Sequence, residues 1–242
     1  MLNKVVAKLN INSSRKYLDN FAHTAASSVP KDGLVLDAGA GSCPYKHHFS
    51  HATYESADFC KLDGQYAEIT YICDLASLPV DNNRYDLIFC SQTLEHVPNP
   101  QQVLQEFHRV LKPGGQLWLS APLFYEEHQV PYDFYRYTQY GFKYLLESTG
   151  FTVSKIEWLE GYYGTLSYQL KMAALTLPKN PKHYGGGLIG VASASMIVLL
   201  KPLLAMLSIF FARLDIHYKF VSAGQCKNYT IVAIKETINM NP

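Results

Sequence analysis

The stretch GLVLDAGAG at residues 33–41 constrains this chain more than any other. A short apolar run that passes straight into a glycine-rich loop reads as a buried strand followed by a tight turn. Glycines there let the backbone turn sharply and approach a ligand closely. Further strands are predicted at YESADF (54–59), ITYICDL (69–75), YDLIFCSQ (85–92) and QLWLSAP (116–122), and then at FTVSKIEWL (151–159) and NYTIVAIKE (228–236). Between them, QQVLQEFHRVL (101–111) places Val103, Leu104, Phe107, Val110 and Leu111 at helical spacing, and Lys112-Pro113-Gly114-Gly115 stops it. A second helix is predicted over 138–150, ended by Gly150. Strands alternating with helices imply βαβ units, right-handed crossovers and a mainly parallel sheet. The expected fold is a three-layer α/β sandwich of Rossmann-like type.

Three segments follow from this reading. Residues 1–32 form a helical lead-in. Residues 33–159 and 228–238 form the core domain, and residues 160–227 are a helical, apolar insertion too long for a hairpin connection. The chain has 242 residues, 48% hydrophobic and only 17% charged, which excludes extended disorder and requires unusual burial of the excess apolar content. A net charge of +1, without a basic stripe, argues against a nucleic-acid partner. Five cysteines, an odd number with no CxxC pair, argue against a disulfide framework or structural zinc. The first twenty residues have no continuous apolar run, so a reducing, cytoplasmic location is expected.

In an open parallel sheet, ligands bind outside the carboxyl ends of the strands. Three aspartates fall at such ends. Asp37 precedes Gly39, Ala40 and Gly41; Asp58 stands 17 residues past Gly41; Asp74 ends the third strand. Asp58 is placed to accept from a ribose diol and Asp74 from a purine amino group; the alternative is that these carboxylates cap turns. A dinucleotide fingerprint needs a third glycine, and Pro44 stands there instead, so a nicotinamide cofactor is not expected.

Taken together, LDAGAG, Asp58, CDL at 73–75, YDLIFCSQTLEHV and LKPGG resemble the class I S-adenosylmethionine-dependent methyltransferases, in the broad group called type 11. The resemblance covers roughly 33–159, with 228–236 completing the fold. It implies a seven-stranded sheet whose last strand is antiparallel and inserted. By position it assigns Asp37, Gly39, Ala40 and Gly41 to the methionine part of S-adenosylmethionine and Asp58 to the ribose. Asp74 and Leu75 go to the adenine, and Ser91 and Gln92 to the methionine end and reacting centre. The pattern formed by His128, Pro131, Asp133 and Arg136 resembles a subgroup associated with bacterial glycans and surface polysaccharides.

Methyl transfer is an in-line displacement, so the protein mainly positions donor and acceptor, and an acceptor hydroxyl needs a general base. His128 is one candidate base and His96, beside Glu95, another; Arg136 either grips an anionic substrate or pairs with Asp133 to shape the loop. Tyr125, Tyr132, Tyr135 and Tyr137 either stack on substrate or close the cofactor site. His47, His48 and His51 lack nearby carboxylates in sequence, so no metal site is expected.

In the insertion, LIGVASASMIVLL (188–200) and LLAMLSIFFA (203–212) are apolar, with Lys201-Pro202 between them. Two helices are expected, serving as a cap over the substrate side, an interfacial dock or a membrane span. The expected acceptor is a small molecule, a sugar or a lipid-linked compound, methylated at oxygen. The alternative is a non-catalytic cofactor-binding or membrane-docked interaction protein of the same fold.

Overall fold

The computed structural model describes residues 12–61 and 65–237. It divides into two compact units. One comprises Tyr17–Leu159 with Asn228–Pro242, the other Met1–Lys16 with Glu160–Lys227.

The first unit is built on a seven-stranded sheet. Its strands are β1 (Leu34–Ala38), β2 (Thr53–Asp58), β3 (Tyr71–Ile72), β4 (Tyr85–Ser91), β5 (Leu111–Pro122), β6 (Phe151–Trp158) and β7 (Asn228–Lys235), in the spatial order 3-2-1-4-5-7-6. The pairs β2–β3, β1–β2, β1–β4 and β4–β5 are parallel. β7 enters between β5 and β6 and runs antiparallel to both, as the family resemblance implies. The chain order reverses at β1, between β2 and β4, and this switch point opens a crevice at the carboxyl ends of the strands. The helices are α1 (Ser13–Ser27), α2 (Pro100–Val110) and α3 (Gln139–Ser148).

Burial follows the sequence pattern. Val103, Leu104, Phe107 and Val110 line the buried face of α2, while β4 is a central strand with Leu87, Ile88, Phe89 and Cys90 all buried. α1 contributes Phe21, whose ring lies 5.1 Å from Trp118 and 5.9 Å from Phe89, joining a core with Tyr45 and Phe49. Residues 1–11 of the expected lead-in lie outside the described residues. After the glycine loop stands a single 3-10 turn, Lys46–Phe49. There the tertiary structure supplies what the histidines lacked in sequence: the Asp19 carboxylate of α1 lies 2.8 Å from His48 Nε2 and 3.9 Å from His47 Nε2.

The second unit holds α4 (Tyr162–Thr176), a 3-10 turn (Pro181–Tyr184) and α5 (Gly187–His217). The insertion departs from expectation at its centre. Lys201-Pro202 does not separate two helices, because α5 runs unbroken through Pro202 for 31 residues. The Lys201 ammonium turns inward and donates to the carbonyls of Ala174 (2.8 Å) and Leu175 (3.3 Å), which lie in the last turn of α4. Those carbonyls have no intrahelical donor, so a buried cation there is satisfied by the end of the neighbouring helix.

Candidate active site

A cavity of about 590 Å³ lies at the carboxyl ends of the strands, within the range of small-ligand sites. Its described wall includes Gly39, Gly41, Asp58, Asp74, Leu75, Gln92 and His96, all singled out from sequence. Tyr132, also singled out from sequence, joins them, with Phe59, Tyr66, Thr93, Gln129 and Phe134, to which the sequence assigned no role.

The glycine loop is shaped by close packing. Gly39 has φ +78°, and a Cβ there would meet the Thr93 side chain at 2.1 Å. Gly41, at φ +50°, faces open space. The Asp58 carboxylate organises this loop as well as facing the cavity. It accepts from the backbone N–H of Gly41 (2.9 Å) and of Cys60 (3.0 Å), leaving lone pairs for a ligand. Asp74 is exposed and accepts from the Ala76 N–H at 2.9 Å, so it caps a turn while standing on the wall. Gln92, at φ +55°, reaches Ser120 Oγ at 3.3 Å.

Six sequence candidates lie off this wall. Asp37 is buried beneath the loop and accepts a hydrogen bond from the Tyr54 hydroxyl. Burial pushes its carboxyl up to about 7, only partly offset by Tyr54. Ala40 is buried, and Ser91 Oγ is held 3.0 Å from Ser120 Oγ. Asp133 and Arg136 form a bidentate pair at 2.6 and 2.8 Å, and Asp133 also accepts from the His128 N–H at 2.8 Å. Arg136 donates in addition to the carbonyls of Tyr125 (3.2 Å) and Glu126 (3.0 Å). Its guanidinium holds the Asp133 carboxyl well below the usual carboxylate range. The pair therefore shapes the loop, and no anionic-substrate grip is needed to account for it. His128 Nδ1 lies 3.1 Å from the Glu126 carbonyl, and its ring packs on His96 at 4.7 Å.

His96 is the histidine among the described residues of the cavity wall, which also carries Lys61. It sits in a 3-10 turn, Leu94–His96, directly after β4. Its Nδ1 lies 2.6 Å from the Tyr132 carbonyl oxygen. A carbonyl only accepts, so Nδ1 carries the proton and Nε2 keeps its lone pair. Desolvation lowers the pKa of His96, partly offset by the hydrogen bond to the Tyr132 carbonyl, so the ring is neutral near pH 7. Nε2 is 3.7 Å from Glu95 Oε1. Glu95 is 1% exposed, its carboxyl oxygens have no hydrogen-bond partner, and burial pushes it up to about 8. Its backbone carbonyl instead anchors the aromatic loop through the N–H groups of Phe134 (2.9 Å) and Tyr135 (3.2 Å).

Residues 36–119 match the family model described as a methyltransferase domain. The fold is that of the class I methyltransferases. Over 58 residues the chain is 41% identical to a ubiquinone biosynthesis O-methyltransferase of Coxiella burnetii; this is 24% of the chain and 25% of that protein. The chain thus spans about a quarter of the length of the curated relatives it matches. Among solved structures, the methyltransferase core resembles the 1,6-didemethyltoxoflavin-N1-methyltransferase of Burkholderia thailandensis, which holds S-adenosylhomocysteine. The TM-score is 0.53 at 14% identity, over 93% of this chain and 79% of that one. It also resembles the [4+2]-cyclase SpnF, with a TM-score of 0.56 at 16% identity over 90% and 82%. A methyltransferase fold thus also carries a protein named for a cyclisation, so the reaction has to be argued from the site.

The residues present fit S-adenosylmethionine. The glycine loop lies open at Gly41, Asp58 is a buried carboxylate with lone pairs left on the wall, and Asp74 and Leu75 set an acceptor beside an apolar side chain, a donor set that suits a nucleoside.

Proposed function

We propose that the protein transfers a methyl group from S-adenosylmethionine to an oxygen of a small acceptor, with His96 as general base. The observation that carries this reading is the neutral His96, with its Nε2 lone pair available, on the wall of the same cavity as the glycine loop and Asp58. When bound, S-adenosylmethionine supplies an electrophilic methyl group on a sulfonium. The chain's own residues do the rest. Gly39 and Gly41 admit the ligand to the loop, and Asp58 and Asp74 orient its nucleoside half. Phe59, Tyr132 and Phe134 exclude water, and His96 Nε2 takes the acceptor's hydroxyl proton as the oxygen attacks. Glu95, neutral at pH 7, adds no charge that would hold His96 protonated.

The name of the Coxiella relative favours an oxygen acceptor. The aromatic wall and the pattern at 128–136 favour a sugar or lipid-linked acceptor carrying a hydroxyl. Five free thiols suit a reducing, cytoplasmic setting. Calorimetric titration of the full chain with S-adenosylmethionine, with Asp58→Ala alongside, tests the cofactor. Micromolar binding lost in the variant is expected, and wild-type protein that binds nothing overturns the reading. Transfer of radiolabelled methyl to phenolic, glycan and lipid-linked hydroxyl acceptors then identifies the substrate class.

A further inference from the structure

The α4–α5 unit has its polarity reversed. On α5 the buried positions are Gly190, Ala194, Lys201, Ala205, Ser208, Ala212 and Asp215, a stripe of small and polar residues. The outward face carries the large apolar side chains, with Leu188, Ile189 and Leu199 each more than 70% exposed and Leu203, Met206 and Phe210 following on the same side. A water-soluble hairpin would place these groups the other way round. Close packing through small residues, with large apolar residues outside, is the arrangement that lipid favours.

The inner stripe packs on α4 and, at Gly190, on the 3-10 turn Pro181–Tyr184. Ser167 and Ser208 exchange hydrogen bonds between hydroxyl and carbonyl at 2.8 and 2.9 Å. Lys201 caps the end of α4, and Asp215 sits against Gly164, where a Cβ would meet its carboxylate at 2.5 Å. These contacts make the two helices antiparallel and leave no charge on the apolar side between Leu188 and Phe210.

We propose that α5 lies in one leaflet of an anionic membrane, with its outward face against the acyl chains and α4 on its opposite side. Three observations select this over a span or a second copy of the chain. First, the segment leaves the sheet after β6 and returns at β7, and Trp158 is paired with Tyr229, so it departs and re-enters at one place. A crossing by α5 would need a return crossing. α4 has 15 residues, about 22 Å, against a hydrocarbon core of roughly 30 Å. Second, exposed cations stand at both ends of α5, Lys179 and Lys182 before it and Arg213 in its last turns, which suits a helix with both ends at headgroup height. Third, residues 160–227 contain seven Lys or Arg and only two acids, Glu160 and Asp215, in a chain of net charge +1. That local excess matches anionic headgroups and opposes self-association through the same face. Among the described residues α5 is the one helix long and apolar enough to cross a membrane. The inference is independent of the transfer reaction proposed above.

The test is flotation of the full chain with phosphatidylcholine vesicles, with and without phosphatidylglycerol. Wild-type protein should float with the phosphatidylglycerol vesicles. Leu199→Glu with Leu203→Glu should bind at least tenfold less while unfolding at the same temperature in buffer. If that variant does not fold, Lys179→Glu and Arg213→Glu, both on the exposed surface, should each weaken binding about fivefold. Impermeant maleimide added outside sealed vesicles should label Lys182→Cys without lysis, in a chain whose partly exposed Cys43, Cys60 and Cys73 are changed to serine and whose unlabelled parent serves as the blank. The proposal is overturned by wild-type protein that stays unbound, by acidic variants that float equally well, or by labelling that requires lysis. It is also overturned by a dimer in buffer that the Leu199→Glu and Leu203→Glu changes dissociate, which would assign the face to a second copy.

Discussion

His96 Nδ1 lies 2.6 Å from the carbonyl oxygen of Tyr132, a contact that joins the turn after β4 to the aromatic loop and selects the histidine tautomer. One short hydrogen bond therefore orients the ring, leaves Nε2 as the acceptor and ties the loop to the cavity.

His96→Asn should lower kcat by roughly 10²–10⁴-fold while leaving S-adenosylhomocysteine affinity within about threefold. Its pH profile adds a second readout. The pKa of His96 is lowered, so the base is neutral above its folded pKa, and activity should fall only as pH drops below the ordinary histidine range. A kcat unchanged in the variant would remove His96 from the reaction.

Glu95 should make the protein less stable as pH rises. Its folded pKa of about 8 lies above the ordinary 4.5, so between these values the folded state holds a proton that the unfolded state has released. Stability present at low pH is lost as pH rises through the folded pKa, by up to about 1.4 kcal/mol per pH unit from this group alone. Glu95→Gln should flatten that slope in urea titrations from pH 5 to 8, and equal slopes in the two proteins would count against a buried neutral carboxyl.

The two loop glycines should respond differently to alanine. Gly39→Ala forces a Cβ onto Thr93 and should cost more than tenfold in cofactor affinity, with loss of thermal stability. Gly41→Ala meets no atom within 4 Å and carries only the strain of φ +50°, of order 1 kcal/mol. Calorimetry and thermal melts on both variants check the contrast; comparable losses would show that backbone conformation, and not the Thr93 contact, sets the requirement.

Arg136→Ala should destabilise the protein by about 1–3 kcal/mol, because it removes the bidentate partner of the Asp133 carboxylate and leaves it with the His128 N–H. Asp133 has a folded pKa below its ordinary value, so its contribution is present above pH 4 and is lost as pH falls through the folded pKa. Denaturant unfolding of wild type and variant at pH 7 and pH 3 should show the difference shrinking in acid. Arg136→Ala protein as stable as wild type at pH 7 would mean that the pair contributes little.

Much of the fold was legible because its signals are local. Apolar runs reaching Asp37 and Asp58 mark β1 and β2, whose carboxyl ends face one crevice, while the strand expected over 69–75 forms only at Tyr71–Ile72 and leaves Asp74 beyond it; Val103, Leu104, Phe107 and Val110 mark α2 by spacing alone. The site was legible where a motif supplies backbone, as at Gly39 and Gly41. It was not legible where loops distant in sequence converge. Nothing in sequence places Tyr132 against His96, 36 residues away, or Asp19 beside His48, 29 residues away.

The same division separates what the chain alone determined from what tertiary structure decided. Residue periodicity and turn chemistry set the order and type of elements, because both act through neighbours along the chain. Whether Asp37 faces a ligand or Tyr54 depended on packing, as did the inward turn of Lys201 that leaves α5 unbroken. Burial and hydrogen-bond partners come from residues far apart in sequence, and they govern which charges survive and where each side chain points.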